Sequence, residues 1–135
     1  MEIQKRMLES AAAARMNAYA PYSAYKVGAA VLDVHGNVWN GCNVENVSYG
    51  LSVCAERSAV SRMVGEGETR LTAVAVATAD GGMPCGMCLQ TLMEFAVDPS
   101  GVKIWTLSDS GEVKEHTLKE LIPFGFAKSD LKRTE

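Results

Sequence analysis

Over residues 3–17, Ile3, Met7, Ala11 and Ala14 fall on one side at helical spacing with good helix formers between them. That pattern predicts an amphipathic helix, which Pro21 stops. The period then shortens. Residues 27–34 (VGAAVLDV) and 38–44 (VWNGCNV) are joined by His35-Gly36-Asn37. They predict a β-hairpin, because glycine and asparagine accept the positive φ of a tight turn. Helical spacing returns over 53–65, with Ala55, Ala59, Val60 and Met63 inward. Residues 71–78 (LTAVAVAT) form an almost continuous apolar run, the expected sequence of a strand covered on both faces. Asp80-Gly81-Gly82 breaks it, and Pro84 opens a helix over about 86–96. Proline fits a first helical turn because the N–H it lacks has no intrahelical acceptor there. Residues 102–107 and 112–116 flank Ser108-Asp109-Ser110-Gly111 and predict two further strands. A turn of helix at 118–121 and a polar tail from about 127, expected to fray, complete the order.

Helix, two strands, helix, strand, helix, two strands fit one α/β domain over 1–135. The expected fold is a three-layer α/β/α arrangement, a five-stranded mixed sheet flanked by helices.

Composition narrows the partners. The chain has 135 residues, 47% of them hydrophobic and 21% charged, in the range of one globular domain. No apolar run reaches the ~20 residues of a membrane-spanning helix. The first twenty residues carry acids and lack the continuous apolar stretch of a secretory signal, so a cytoplasmic location is expected. Net charge is −3, and the only basic clusters are Lys5-Arg6 and Lys132-Arg133. A nucleic-acid polymer is therefore not expected as partner, since neutralising phosphates needs a basic face.

Four cysteines, at 42, 54, 85 and 88, raise the question of chemistry. A lone CxxC divides about evenly between redox, structural metal and accident. Cys54-Ala55-Glu56 and Pro84-Cys85-Gly86-Met87-Cys88 both stand at predicted helix starts, where free N–H groups stabilise thiolates. Three thiolates leave one vertex of a tetrahedral zinc ion open for water, as a catalytic site requires. Glu56 then supplies a carboxylate to move that water's proton. The spacing matches the zinc-deaminase signature, in which the glutamate is not a ligand. A structural zinc would need a fourth ligand. Cys42, in an apolar strand, reads instead as a buried inert thiol, and His35 and His116 read as solvated.

These motifs resemble the small homotetrameric, zinc-dependent cytidine deaminases. The likeness extends from Tyr19-Ala20-Pro21-Tyr22-Ser23 through Gly41-Cys42-Asn43-Val44-Glu45-Asn46, Cys54-Ala55-Glu56-Arg57 and Pro84 to Gln90, and on to Leu121-Ile122-Pro123-Phe124. It implies hydrolytic deamination of cytidine and 2′-deoxycytidine, a step of pyrimidine salvage. One zinc ion per subunit would be held by Cys54, Cys85 and Cys88. Asn43 and Glu45 would bind the ribose hydroxyls, and the Ala55 N–H would bind the pyrimidine O2. Glu56 would carry the protons. Arg57 would draw charge from the ligand sulfurs, and Tyr25 would stack near the base. Phe124 and Phe126 would help complete a neighbouring subunit's pocket in a tetramer with shared active sites; the plainer reading of both is core packing.

Three positions depart from the family. Leu89 stands where an arginine is usual, Tyr25 where phenylalanine is common, and Met83 where a small residue or proline often precedes Pro84-Cys85. They suggest a pocket open to cytidines altered at C5 or N4. Among rival enzymes, a polynucleotide or tRNA deaminase usually has His-Ala-Glu and a basic groove. An aminonucleoside antibiotic deaminase lacks the motif found here as Asn43–Asn46 and the arginine found as Arg57. Outside enzymes, a zinc-stabilised binding module would have no use for Glu56.

Overall fold

In the computed structural model, residues 2–131 are described. The long helices are α1 (Glu2–Arg15), α2 (Ala55–Gly65) and α3 (Gly86–Phe95). The strands are β1 (Gly28–Asp33), β2 (Val38–Cys42), β3 (Leu71–Ala77), β4 (Lys103–Leu107) and β5 (Val113–Thr117), and a single turn, α4 (Leu118–Leu121), follows β5. The strands form one sheet in the order β2-β1-β3-β4-β5. β1 runs antiparallel to β2 and β3, β3 is parallel to β4, and β4 is antiparallel to β5. The predicted five-stranded mixed sheet is therefore present, with helices on both faces.

The sequence of β3 explains how two different layers fit on its faces. Val74 and Val76 point into the core shared with α2 and α3, among Val60, Met63, Leu92 and Ile104. Ala73, Ala75 and Ala77 point the other way, against Met7, Leu8 and Ala11 of α1. Small side chains on one face admit a single close helix, while the branched ones fill the wider space under two helices. Close approach also positions α2. A Cβ at Gly41 in β2 would lie 2.6 Å from the Ala59 nitrogen, so glycine there lets α2 rest on the strand.

Several local expectations change. Cys42 is half-buried rather than enclosed. His116 is also half-buried, with a buried Nε2 that has no hydrogen-bond partner, because β5 turns it inward opposite Ile104. Pro84 lies before the cap of α3, not within its first turn, since the cap is Cys85. The start of the polar tail lies against α3. Gln90 holds both backbone groups of Phe126, at 2.8 and 2.9 Å, and residues 128–130 form a 3-10 turn. The rest of that predicted tail, 132–135 with the Lys132-Arg133 pair, lies outside the described residues. Among the described residues no helix is long and apolar enough to cross a membrane.

Candidate active site and metal centre

Cys54 and Cys85 are the N-caps of α2 and α3, both extended, with ψ of 155° and 168°. Neither side chain caps its own helix, so both sulfurs remain available. Cys88 follows in the first turn of α3, buried beneath them. The three Sγ atoms all lie within 4.8 Å of one another, and Cys85 and Cys88 are 3.3 Å apart. Zinc–sulfur bonds of about 2.3 Å in a tetrahedron put sulfurs about 3.8 Å apart, so one ion fits this triangle. Among the described residues no fourth histidine, cysteine, aspartate or glutamate joins them, and Cys42, His35 and His116 stand apart.

The charge state suits a cation. A hydrogen bond with Cys88, assisted by Arg57 and opposed by burial, holds the Cys54 thiol down to about 5. Cys88 is pushed up, because its proton serves Cys54 and because it is desolvated beside Glu56. Alone, the triangle thus favours one thiolate and resists the next. A dication removes that resistance, which is what a metal site demands of its donors.

Around the sulfurs stand the groups of the α2 start. Ala55 occupies the first position of α2, where the N–H has no intrahelical acceptor. Glu56 is 5% exposed, and its carboxyl is pushed above the usual range by burial, with the Cys54 charge adding to it. Its proton can therefore be exchanged nearer neutrality than that of a solvated glutamate. Arg57 Nη2 reaches Cys54 Sγ at 3.6 Å and the Ser52 carbonyl at 3.5 Å, while its buried Nε has no partner.

Cys54, Cys85, Cys88 and Glu56 line a pocket of about 190 Å³, walled by Tyr25, Asn43, Thr78, Gly82 and Met83. A second hollow, of about 250 Å³, lies beside Glu45, Tyr22 and Tyr49. β2 ends at Cys42, so Asn43 and Glu45 lie just past it on either side of the paired Val44. Both reach the same turn. The Asn43 amide donates to Tyr25 O at 2.8 Å and accepts from Val27 N at 2.9 Å. Glu45 accepts the N–H groups of Tyr22 and Ser23, at 3.0 and 3.1 Å, and the Ser23 hydroxyl. The Ser23 hydroxyl is the main reason its carboxyl lies below the ordinary range, so Glu45 is an ionised acceptor at neutral pH. A larger hollow of about 560 Å³ near Arg15 and Asp109 borders none of the thiols.

The departures sort themselves by position. Leu89 is 8% exposed and packs in the core with Leu92, so it replaces a charge by filling space and is not a pocket wall. Met83 and Tyr25 do line the pocket, and the Tyr25 hydroxyl finds Asp80 at 2.7 Å. Phe124 and Phe126 are 97% and 60% exposed, which rules out core packing within one chain. Ser23, Thr78 and Asp80 were not singled out in the sequence. The Asp80-Gly81-Gly82 break is the one visible signal for Thr78 and Asp80, while Ser23 falls inside the Tyr19–Ser23 motif, which by itself gives it no role.

A layered sheet sets two helix starts, three thiols and a buried carboxyl beside a small pocket, an arrangement fit for a metal-dependent hydrolytic enzyme. Residues 1–102 match the family model described as the cytidine and deoxycytidylate deaminase zinc-binding region. The chain is 39% identical over 133 residues to a cytidine deaminase of Sporosarcina psychrophila, covering 97% of this chain and 96% of that protein. It is 38% identical over 130 residues to one of Halalkalibacterium halodurans, covering 95% and 97%. The crystal structure of cytidine deaminase from Burkholderia pseudomallei superposes with a TM-score of 0.84 at 39% identity, covering 90% of this chain and 98% of that one. The chain belongs to the zinc-dependent cytidine deaminase family.

Proposed function

We propose that one deaminase domain, spanning 1–135, hydrolyses the C4–amine bond of cytidine and 2′-deoxycytidine, consuming water and releasing ammonia and the corresponding uridine. The observation that carries the reading is the buried Glu56 carboxyl beside three thiols that no fourth histidine, cysteine, aspartate or glutamate joins among the described residues. Cys54, Cys85 and Cys88 would hold a zinc ion, which when bound would supply the Lewis acidity that acidifies the attacking water. Glu56 takes one proton from the attacking water and places it on N3 of the base, then takes that oxygen's second proton and passes it to the amine, which departs as ammonia. The Ala55 N–H, unspent by its helix, binds O2. Arg57 offsets the excess thiolate charge. Tyr25 faces the base.

Asn43 and Glu45 hold the sugar, a role supported by Asn43 lining the 190 Å³ pocket and Glu45 lining the second hollow. Free cytosine is then a far poorer substrate than cytidine. We further read the protein as a cytoplasmic homotetramer with shared active sites. Exposed Tyr49, Leu51 and Phe124, at 76%, 65% and 97%, support burial against neighbouring copies.

Ultraviolet-monitored incubation of zinc-loaded protein with cytosine, cytidine and deoxycytidine tests the reaction. Glu56→Gln should keep one zinc per chain and lose about 10²–10⁴-fold in kcat. An unchanged rate in that variant, or equal rates on base and nucleoside, overturns the respective assignment.

A further inference from the structure

We propose that Asp80 is a positioning residue that pins the Tyr25 ring as a wall of the base pocket and so limits the size of pyrimidine admitted. The inference rests on the cytidine reading for its substrate class, but its geometry is independent of it. Tyr25 is 40% exposed, and an untethered ring at such a position is free to swing outward. Its hydroxyl donates to Asp80 Oδ1, 55 residues further along the chain. That same oxygen accepts the Gly82 N–H at 3.0 Å and the Thr78 hydroxyl at 3.2 Å. Thr78 Oγ1 in turn accepts the N–H groups of Gly81 and Gly82, at 2.7 and 3.0 Å. Thr78 follows directly on β3 and is 3% exposed, so the network is rooted in the sheet.

The residue at 82 makes room for this contact. Gly82 has no left-handed φ that would call for glycine, yet a Cβ there would lie 2.8 Å from the Tyr25 hydroxyl and 3.2 Å from Asp80 Oδ1. Glycine is needed for the approach of the phenol, not for the turn. On its other side, the Tyr25 backbone is tied to the sugar-binding residues. Its N–H donates to Ser23 Oγ at 3.0 Å, its carbonyl accepts Asn43 Nδ2, and Ser23 also holds Glu45. Ala24, between Ser23 and Tyr25, has φ of 59°, the one positive value among described non-glycine residues. Strained backbone of this kind persists where its surroundings fix it. Asp80 does not line the pocket, so it acts through Tyr25.

Zinc-loaded wild type, Tyr25→Phe, Asp80→Ala, Asp80→Asn and the Tyr25→Phe/Asp80→Ala double variant provide the test. On cytidine, each of Tyr25→Phe and Asp80→Ala should raise KM about fivefold with kcat within about twofold. Both should narrow the wild type's preference for cytidine over 5-bromocytidine. The double variant should be no worse than either single one. Asp80→Asn retains an oxygen that accepts the phenol and should restore wild-type KM. Multiplicative losses in the double variant, or an unchanged KM in Asp80→Ala, overturn the proposal. Hydrogen exchange of residues 79–83, measured without substrate, should quicken in both single variants. Unchanged exchange overturns it even if wild type fails to turn over cytidine, a failure that would count against the deaminase reading instead.

Discussion

Among the described residues, two triads bring potential metal donors within 4.8 Å of one another, and they are built for opposite purposes. Cys54, Cys85 and Cys88 converge from two helix starts, with lone pairs engaged mainly by each other and by Arg57. Asp33, His35 and Glu68 meet at the β1–β2 hairpin. There both Asp33 oxygens are already occupied: Oδ1 by the N–H groups of His35 and Asn37, Oδ2 by Asn37 Nδ2 and Trp39 Nε1. His35 is mostly solvated and pairs with Glu68 at 2.9 Å. Proximity of donors is thus common to both. What separates them is whether the donors are already satisfied by the protein, because a filled lone pair must be emptied before a cation can take it.

The largest effect that sharpens this contrast is loss of the metal itself. Cys88→Ala should bind less than a tenth of a zinc equivalent by mass spectrometry of dialysed protein, with turnover abolished. His35→Ala should keep one equivalent per chain. Two equivalents in the wild type, one of them lost with His35, would break the distinction. A smaller effect is expected at Arg57, which touches a sulfur without supplying a ligand. Arg57→Ala should keep the metal but lower kcat by about 10–100-fold, since partners of ligands tune a site by that order. An unchanged kcat would reduce Arg57 to a packing residue.

How much of this was legible along the chain follows from the range of each signal. Helix and strand periods act over a few residues, so the element order and the two helix starts with their cysteines emerge directly. The spacing of Glu56 to Cys54, and of Cys85 to Cys88, is equally local. The Tyr25–Asp80 and Ser23–Glu45 contacts join residues 55 and 22 positions apart, and no periodicity carries them. Leu89 could be placed in the core only once α3 had a facing layer, and Phe124 is exposed because nothing among the described residues covers it. His116 was expected in solvent because a strand end often is, yet the β4–β5 register turns it inward.

The smallest effect concerns the second triad and has a pH signature. Burial alone would raise the Asp33 carboxyl, but hydrogen bonds from Trp39, Asn37 and His35 outweigh it and hold the group below the usual aspartate range. The charged form is therefore favoured more in the folded chain than in the unfolded one. Its stabilisation is complete above the unfolded value, near pH 3.9, and is lost as pH falls through the lower folded value. Asp33→Asn sets an amide N–H against one of the donors now met by carboxylate oxygen. It should cost about 1–3 kcal/mol in urea unfolding at pH 7, with zinc content and KM for cytidine unchanged. The gap between variant and wild type should shrink below about pH 4. A gap that holds constant down to pH 3 would mean the clamp depends on shape and not on charge, and would remove the electrostatic half of the contrast between the two triads.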